Sequence, residues 1–257
     1  MSRSALIIGG ILLSLIAIPW VFDLTPNAID LMNVLQPPSS EHLLGTDENG
    51  RDVLHRIVSG AQLTLGIGVA SALLSLIVGS LLGATAGSLG GVVDDVIMRT
   101  TDLALALPTL FVILVFSSIV NPGILQLILL IGLTGWMSVA RVIRGTAREI
   151  SARQFVLAAH SFGASQLRIV LRHILPNLRS VVLVTATLQL GRAILTEATI
   201  SFLGVGVQPP EATWGSMLSG AQSYLLIAPW LALAPGISLT VVLVMIANLT
   251  LDDRVQR

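Results

Sequence analysis

Cysteine and lysine are both absent from this chain, and only 11% of its residues are charged. Without cysteine there is no disulfide, no thiolate metal ligand and no thiol nucleophile. Without lysine there is no Gly-rich Lys-Ser or Lys-Thr loop of the kind that cradles nucleotide phosphates. The four histidines, His42, His55, His160 and His173, are scattered without metal-ligand spacing, so no metal site is expected. No residue is assigned a catalytic role, and nothing points to a nucleic-acid partner. All 14 basic residues are arginines, balanced by 14 acidic ones, so the information lies in where the charges sit rather than in their sum.

Apolar residues fill the gap, at 54% of the chain and in long runs with few charges. Such runs read as bilayer-spanning helices and make the chain a polytopic membrane protein. Six spans are predicted, over residues 5–22, 61–88, 102–120, 124–143, 178–203 and 228–251. Each has about 18 to 28 residues, enough to cross a core about 30 Å thick at about 1.5 Å per residue. Asn121-Pro122-Gly123 parts the third span from the fourth as a hairpin turn. The first run is read as a span and not a cleaved leader, because it is long for one and Pro19-Trp20-Val21-Phe22 lacks a small-residue cleavage pattern.

Arginine placement sets the orientation. One side collects Arg3, Arg99, the series Arg141, Arg144, Arg148, Arg153, Arg168, Arg172 and Arg179, then Arg254 and Arg257. The other side holds only Arg51 and Arg56 among several acidic residues. Both termini are therefore expected in the cytoplasm. Long connections between packed helices tend to carry function. Three stand out in this single domain of residues 1–257: an outer loop over 23–60, an inner loop over 144–177 and an outer lid loop over 205–227.

The inner loop holds two helical patterns. Residues 152–162 suit a helix that Gly163 can end in the left-handed conformation. Next, Leu167, Val170, Leu171 and Ile174 form an apolar stripe, Arg168 and Arg172 take another face, and Pro176 is expected to stop the helix. Ala158 and Ala159 would let a partner approach closely, as in helix-in-groove recognition. A basic hairpin resting on lipid headgroups fits the same pattern.

The run Leu157-Ala158-Ala159-x3-Gly163, with Arg172-His173-Ile174-Leu175-Pro176-Asn177, resembles the coupling motif of ABC importer permeases, although Leu157 stands where the family has an acidic residue. The stretches His42-Leu43-Leu44-Gly45-Thr46-Asp47-Glu48-Asn49-Gly50-Arg51-Asp52 and Ser201-Phe202-Leu203-Gly204-Val205-Gly206-Val207-Gln208-Pro209-Pro210, followed by Trp214-Gly215-Ser216-Met217-Leu218, resemble signatures of its peptide and nickel branch. The resemblance implies an all-α fold of six transmembrane helices, the ABC type I importer permease fold. It implies half of a pathway for di- or oligopeptides, with nickel or another small solute as the alternative cargo. The implied partners are a second, homologous permease in a heterodimer, two ATP-binding cassette ATPases that hold ATP and Mg, and an extracytoplasmic substrate-binding protein. The implied location is the bacterial or archaeal cytoplasmic membrane, and the chain itself is no enzyme and binds no cofactor. Leu157, Ala158, Ala159, Gly163, Arg168, Arg172, Leu175 and Pro176 would couple to the ATPases, and Trp214 and Met217 would belong to the outer lid.

An ion-gradient transporter is the rival reading, but the sequence shows no internal repeat. Asp102, Arg192 and Glu197 are charged residues within predicted spans, where charge is costly, so each is a candidate for the pathway, or for pairing with one another or with a partner subunit's helices. Trp214, Met217 and Leu218 are expected to cap the pathway or to anchor in the headgroups. Gly79, Gly83 and Gly87 recur every fourth residue, which suits close helix packing.

Overall fold

The computed structural model describes Gly10, residues 24–119 and residues 123–255, with side chains of the last helix described through residue 249. The first predicted span, apart from Gly10, and the Asn121-Pro122 turn lie outside the described residues. Among those described there is no strand, only an isolated bridge between Thr46 and Asp52.

Helix α1 covers Val53–Leu89, α2 Gly91–Ala106, α3 Thr109–Ile119, α4 Ile124–Ser151 and α5 Gln154–Ser161. Helix α6 covers Gln166–Phe202, α7 Trp214–Ala221 and α8 Trp230–Val255. Four of these, α1, α4, α6 and α8, are long and apolar enough to cross a membrane, and α2 with α3 makes a fifth if counted as one bent span.

Two predictions about the helices are corrected. Residues 102–120 are not one straight span, because the chain bends by 79° between α2 and α3. Pro108 explains the break: it has no N–H to donate and forces Leu107 out of the helical region, to φ −82° and ψ 134°. Asp102 therefore lies inside α2 and does not open a span. Conversely, Pro176 does not stop its helix. Val170–Ile174 widens into a π turn and Leu175–Leu178 tightens into a 3-10 turn with Pro176 at its start, where a missing N–H is tolerated. The helix then runs unbroken from the inner loop to the lid.

Helices α1 and α4 pack along much of their length. The glycine stripe makes this possible. A Cβ on Gly79, Gly83 or Gly87 would lie 2.6, 2.5 and 2.5 Å from the carbonyl oxygens of Trp136, Ala140 and Arg144. The four-residue period of one helix thus meets the four-residue period of the other, backbone against backbone. At the inner-loop end a bidentate ion pair joins Asp94 of α2 to Arg144 of α4.

Candidate functional site

Three regions follow one another along α6. At its beginning, the inner loop folds back on the bundle and does not hang free. Val156 of α5 is buried in a cluster with Ile150 of α4 and Ile169, Val170 and Ile174 of α6. Gly163 takes φ +76°, and the N–H groups of Gly163 and Ala164 return to the carbonyls of His160 and Ala159, closing α5 as anticipated. The Phe155 and His173 rings lie 6.4 Å apart, and Gln166 Nε2 stands 3.1 Å from His160 Nε2, so the two helices are tied on a second side.

The predicted apolar stripe is divided: Val170 and Ile174 are buried, while Leu167 and Leu171 face outward. The buried face is completed by Ile169, because the π turn shifts the register. Leu157, Ala158, Gly163, Arg168, Arg172 and Pro176 are exposed, and Ala159 and Leu175 are half-buried. Phe162 is 90% exposed beside Gly163, around which a Cβ would meet nothing. Phe155, Leu157, Phe162, Leu167 and Leu171 are thus exposed apolar side chains of this loop, and Arg168 and Arg172 are exposed in the same segment. Phe162 was not singled out from sequence; its signal is an aromatic residue placed directly before a helix-ending glycine.

Halfway along α6 a half-open cavity of about 630 Å³ lies against α2 and α4, and a smaller one of about 250 Å³ adjoins it. Ser138, Gln189 and Arg192 line both, and Arg141 lines the larger. The expected pairing among Asp102, Arg192 and Glu197 does not occur. Asp102 pairs with Arg141, and among the described residues Arg192 has no ion-pair partner. Glu197 faces away from the cavities and is fully buried, accepting a hydrogen bond from Ser201 Oγ at 2.7 Å, with its Oε2 left without a partner. The helical repeat of about 3.6 residues turns positions 192 and 197 to different faces.

At the far end the two outer loops form one platform. Asp47 organises the first: its Oδ1 accepts from the backbone N–H groups of Asn49 and Arg51, and its Oδ2 meets Arg51 Nε at 2.7 Å and Arg56 Nε at 3.5 Å. Asp52 and Arg56, four residues apart and so spaced to pair on a helix, do not pair. Asp52 instead caps α1 by accepting from the His55 N–H, and holds His42 Nδ1 at 2.8 Å. Burial pushes the Asp52 carboxyl upward, but the bonds from His42 and the His55 backbone outweigh it and hold the group below the usual carboxylate range. Gly45, at φ +76°, lets the chain pass beneath Trp230, whose Nε1 donates to Thr46 O at 3.3 Å.

The lid helix α7 is bolted to this platform. Thr213 and Ser216 form its capping box. Trp214 is 1% exposed, donating from Nε1 to Ile57 O at 3.0 Å and from its backbone N to Thr64 Oγ1 at 3.1 Å. It is neither a headgroup anchor nor part of the cavity wall. Met217 packs half-buried against the same cluster.

Comparison with known proteins gives a consistent answer. Residues 79–257 match the model of the binding-protein-dependent transport system inner membrane component family. A protein of Brucella suis biovar 1 (strain 1330) that carries the name of a peptide permease is 40% identical over 228 residues, 88% of this chain and 76% of that protein. The oligopeptide transport system permease protein OppC of Bacillus subtilis (strain 168) is 38% identical over 201 residues, covering 78% of this chain and 66% of its own. Among solved structures, an inward-facing form of the MetNI methionine ABC transporter superposes with a TM-score of 0.61 at 17% identity, covering 77% of this chain and 93% of that one.

Proposed function

The chain belongs to the binding-protein-dependent transport system inner membrane components, and from that premise we propose that it forms half of a pathway importing di- or oligopeptides across the cytoplasmic membrane. The relatives named for peptide transport support the cargo. The other half is a second, homologous permease. Two ATPases hold ATP and Mg and supply the energy, a substrate-binding protein delivers the cargo to the platform built by Asp47 and Trp214, and both termini lie in the cytoplasm.

The observation that carries this reading is the inner-loop patch. Phe162, Leu167 and Leu157 are all exposed, and apolar exposure of that size in one short loop is unfavourable unless something covers it. Leu157 replaces an acidic residue, so docking rests on apolar contact, with Arg168 and Arg172 supplying charge at the rim. ATP binding draws the ATPases together, and the motion enters the bundle through α5 and α6.

The test uses Gly163 in the complex reconstituted with its partners. Asn tolerates the left-handed backbone and Phe does not, so Gly163→Asn reports on the fold and Gly163→Phe on fold plus a bulky clash. Gly163→Phe is expected to lower ATPase co-purification and ATP-dependent uptake at least ~10-fold, the loss of about 1.4 kcal/mol of docking. Gly163→Asn is expected to lose little. Unchanged uptake in Gly163→Phe would sink the assignment.

A further inference from the structure

The paired cavities midway along α6 are cationic on one wall. No Asp or Glu lines either of them, whereas Arg141 and Arg192 do. Asp102 holds Arg141 from one side; Arg192 has no such partner among the described residues. The other polar groups are largely committed. Ser138 Oγ donates to Gly135 O, Thr185 Oγ1 to Val181 O and Gln189 Nε2 to Ser75 Oγ. Thr109 and Thr196 add hydroxyls to the smaller cavity; the charged donors left to meet a ligand are the guanidinium N–H groups, whose fork matches a carboxylate.

Arg192 is exposed on this chain, and its place along α6 is what sets it apart from the loop arginines. Arg192 lies 13 residues beyond Arg179 on the same helix, roughly 20 Å along its axis. An arginine at such depth is costly unless it faces water, a counter-ion or cargo. The surrounding wall is apolar, with Leu105, Val181 and Leu188 in the larger cavity. Its volume of about 630 Å³ falls in the range of small-ligand sites, about 300–1,000 Å³. A charged anchor set in a smooth apolar wall suits a ligand with one fixed anionic end and variable side chains. A bare divalent cation would be repelled.

We propose that Arg192, with Arg141 beside it, is the point on this wall of the pathway that recognises the C-terminal carboxylate of a translocating peptide. The inference rests on the peptide-import reading above. Arg192 is the primary contact, and Arg141, half-neutralised by Asp102, adds field without trapping the cargo.

The test compares wild type, Arg192→Gln and Arg192→Lys in the complete importer reconstituted in liposomes, after assembly is checked by size-exclusion chromatography. Three cargoes are used: Ala-Ala-Ala, its C-terminal amide, and the amide of Ala-Glu-Ala. Uptake of each is scored per loaded binding protein. Arg192→Gln is expected to cut uptake of the free-carboxylate peptide ~10-fold or more, as loss of a charge-assisted hydrogen bond does, and that of the Ala-Ala-Ala amide, which has no carboxylate, less than ~2-fold, with Arg192→Lys between. A matching loss for the Glu-containing amide shows that Arg192 reads any cargo carboxylate, and overturns the C-terminal assignment. Equal losses for all three cargoes, or no loss, overturn the proposal. So does failure of both variants to assemble, which would assign Arg192 to the joint with the second permease. A wild-type importer that moves no peptide overturns the peptide-import reading as well.

Discussion

Trp214 shows how much one side chain secures. Its indole is buried among α1, α7 and α8 and bonds to the α1 backbone at Ile57. Trp214→Phe should cost about 1 kcal/mol, the price of one hydrogen bond, while Trp214→Ala should cost about 3–5 kcal/mol through the cavity it leaves. Thermal unfolding in detergent would rank them. Asp52 adds a pH dependence at the same end. Its carboxyl is depressed in the folded chain, so its contribution is complete above the unfolded value of about pH 3.9 and is lost as pH falls through the lower folded value. Hydrogen exchange over residues 42–57 should therefore rise below about pH 4 in wild type, and Asp52→Asn should flatten that rise. The spacing of Asp52 and Arg56, four apart, suits a helical ion pair. Only the folded turn brings Asp47, nine residues before Arg56, within reach of that guanidinium instead.

At the scale of elements, the long helices α1, α4, α6 and α8 were legible because apolar runs of that length have few other uses. The closing of α5 at Gly163 was legible for a similar reason, since only a left-handed residue ends a helix there. What escaped was the effect of proline. Pro108 breaks a run that hydropathy treats as continuous, while Pro176 is absorbed by a π turn that no local pattern announces. The glycine stripe was read as a packing face, and its partner is the α4 backbone. Gly83→Val should accordingly destabilise by at least the ~1–3 kcal/mol typical of overpacking, because the clash is with a carbonyl that cannot rotate away. Gly66, with open space around it, is the control: Gly66→Ala should stabilise by about 0.5–1 kcal/mol. Chemical denaturation of the two variants would separate the effects.

For the whole molecule, the inner loop and outer platform were marked in the sequence by dense motifs, whereas the cavity between them was not. Arg192 and Gln189 are spaced ordinarily along α6, and only the packing of three helices makes them neighbours of Ser138 and Arg141. All three regions share α6. Its 37 residues make a rod of roughly 55 Å, with the inner loop at one end, Arg192 two-thirds of the way along and Phe202 near α7 at the other. A rod tilted by about 10° about its midpoint moves each end roughly 5 Å in opposite directions. The π turn sits close to the inner-loop end, where, in the importer proposed above, a loosely wound coil would act as a compliant joint in an otherwise stiff lever. In the importer proposed above, stroke length at the far end would then be set by where that lever pivots against α1, whose Gly68 lies against Ile194.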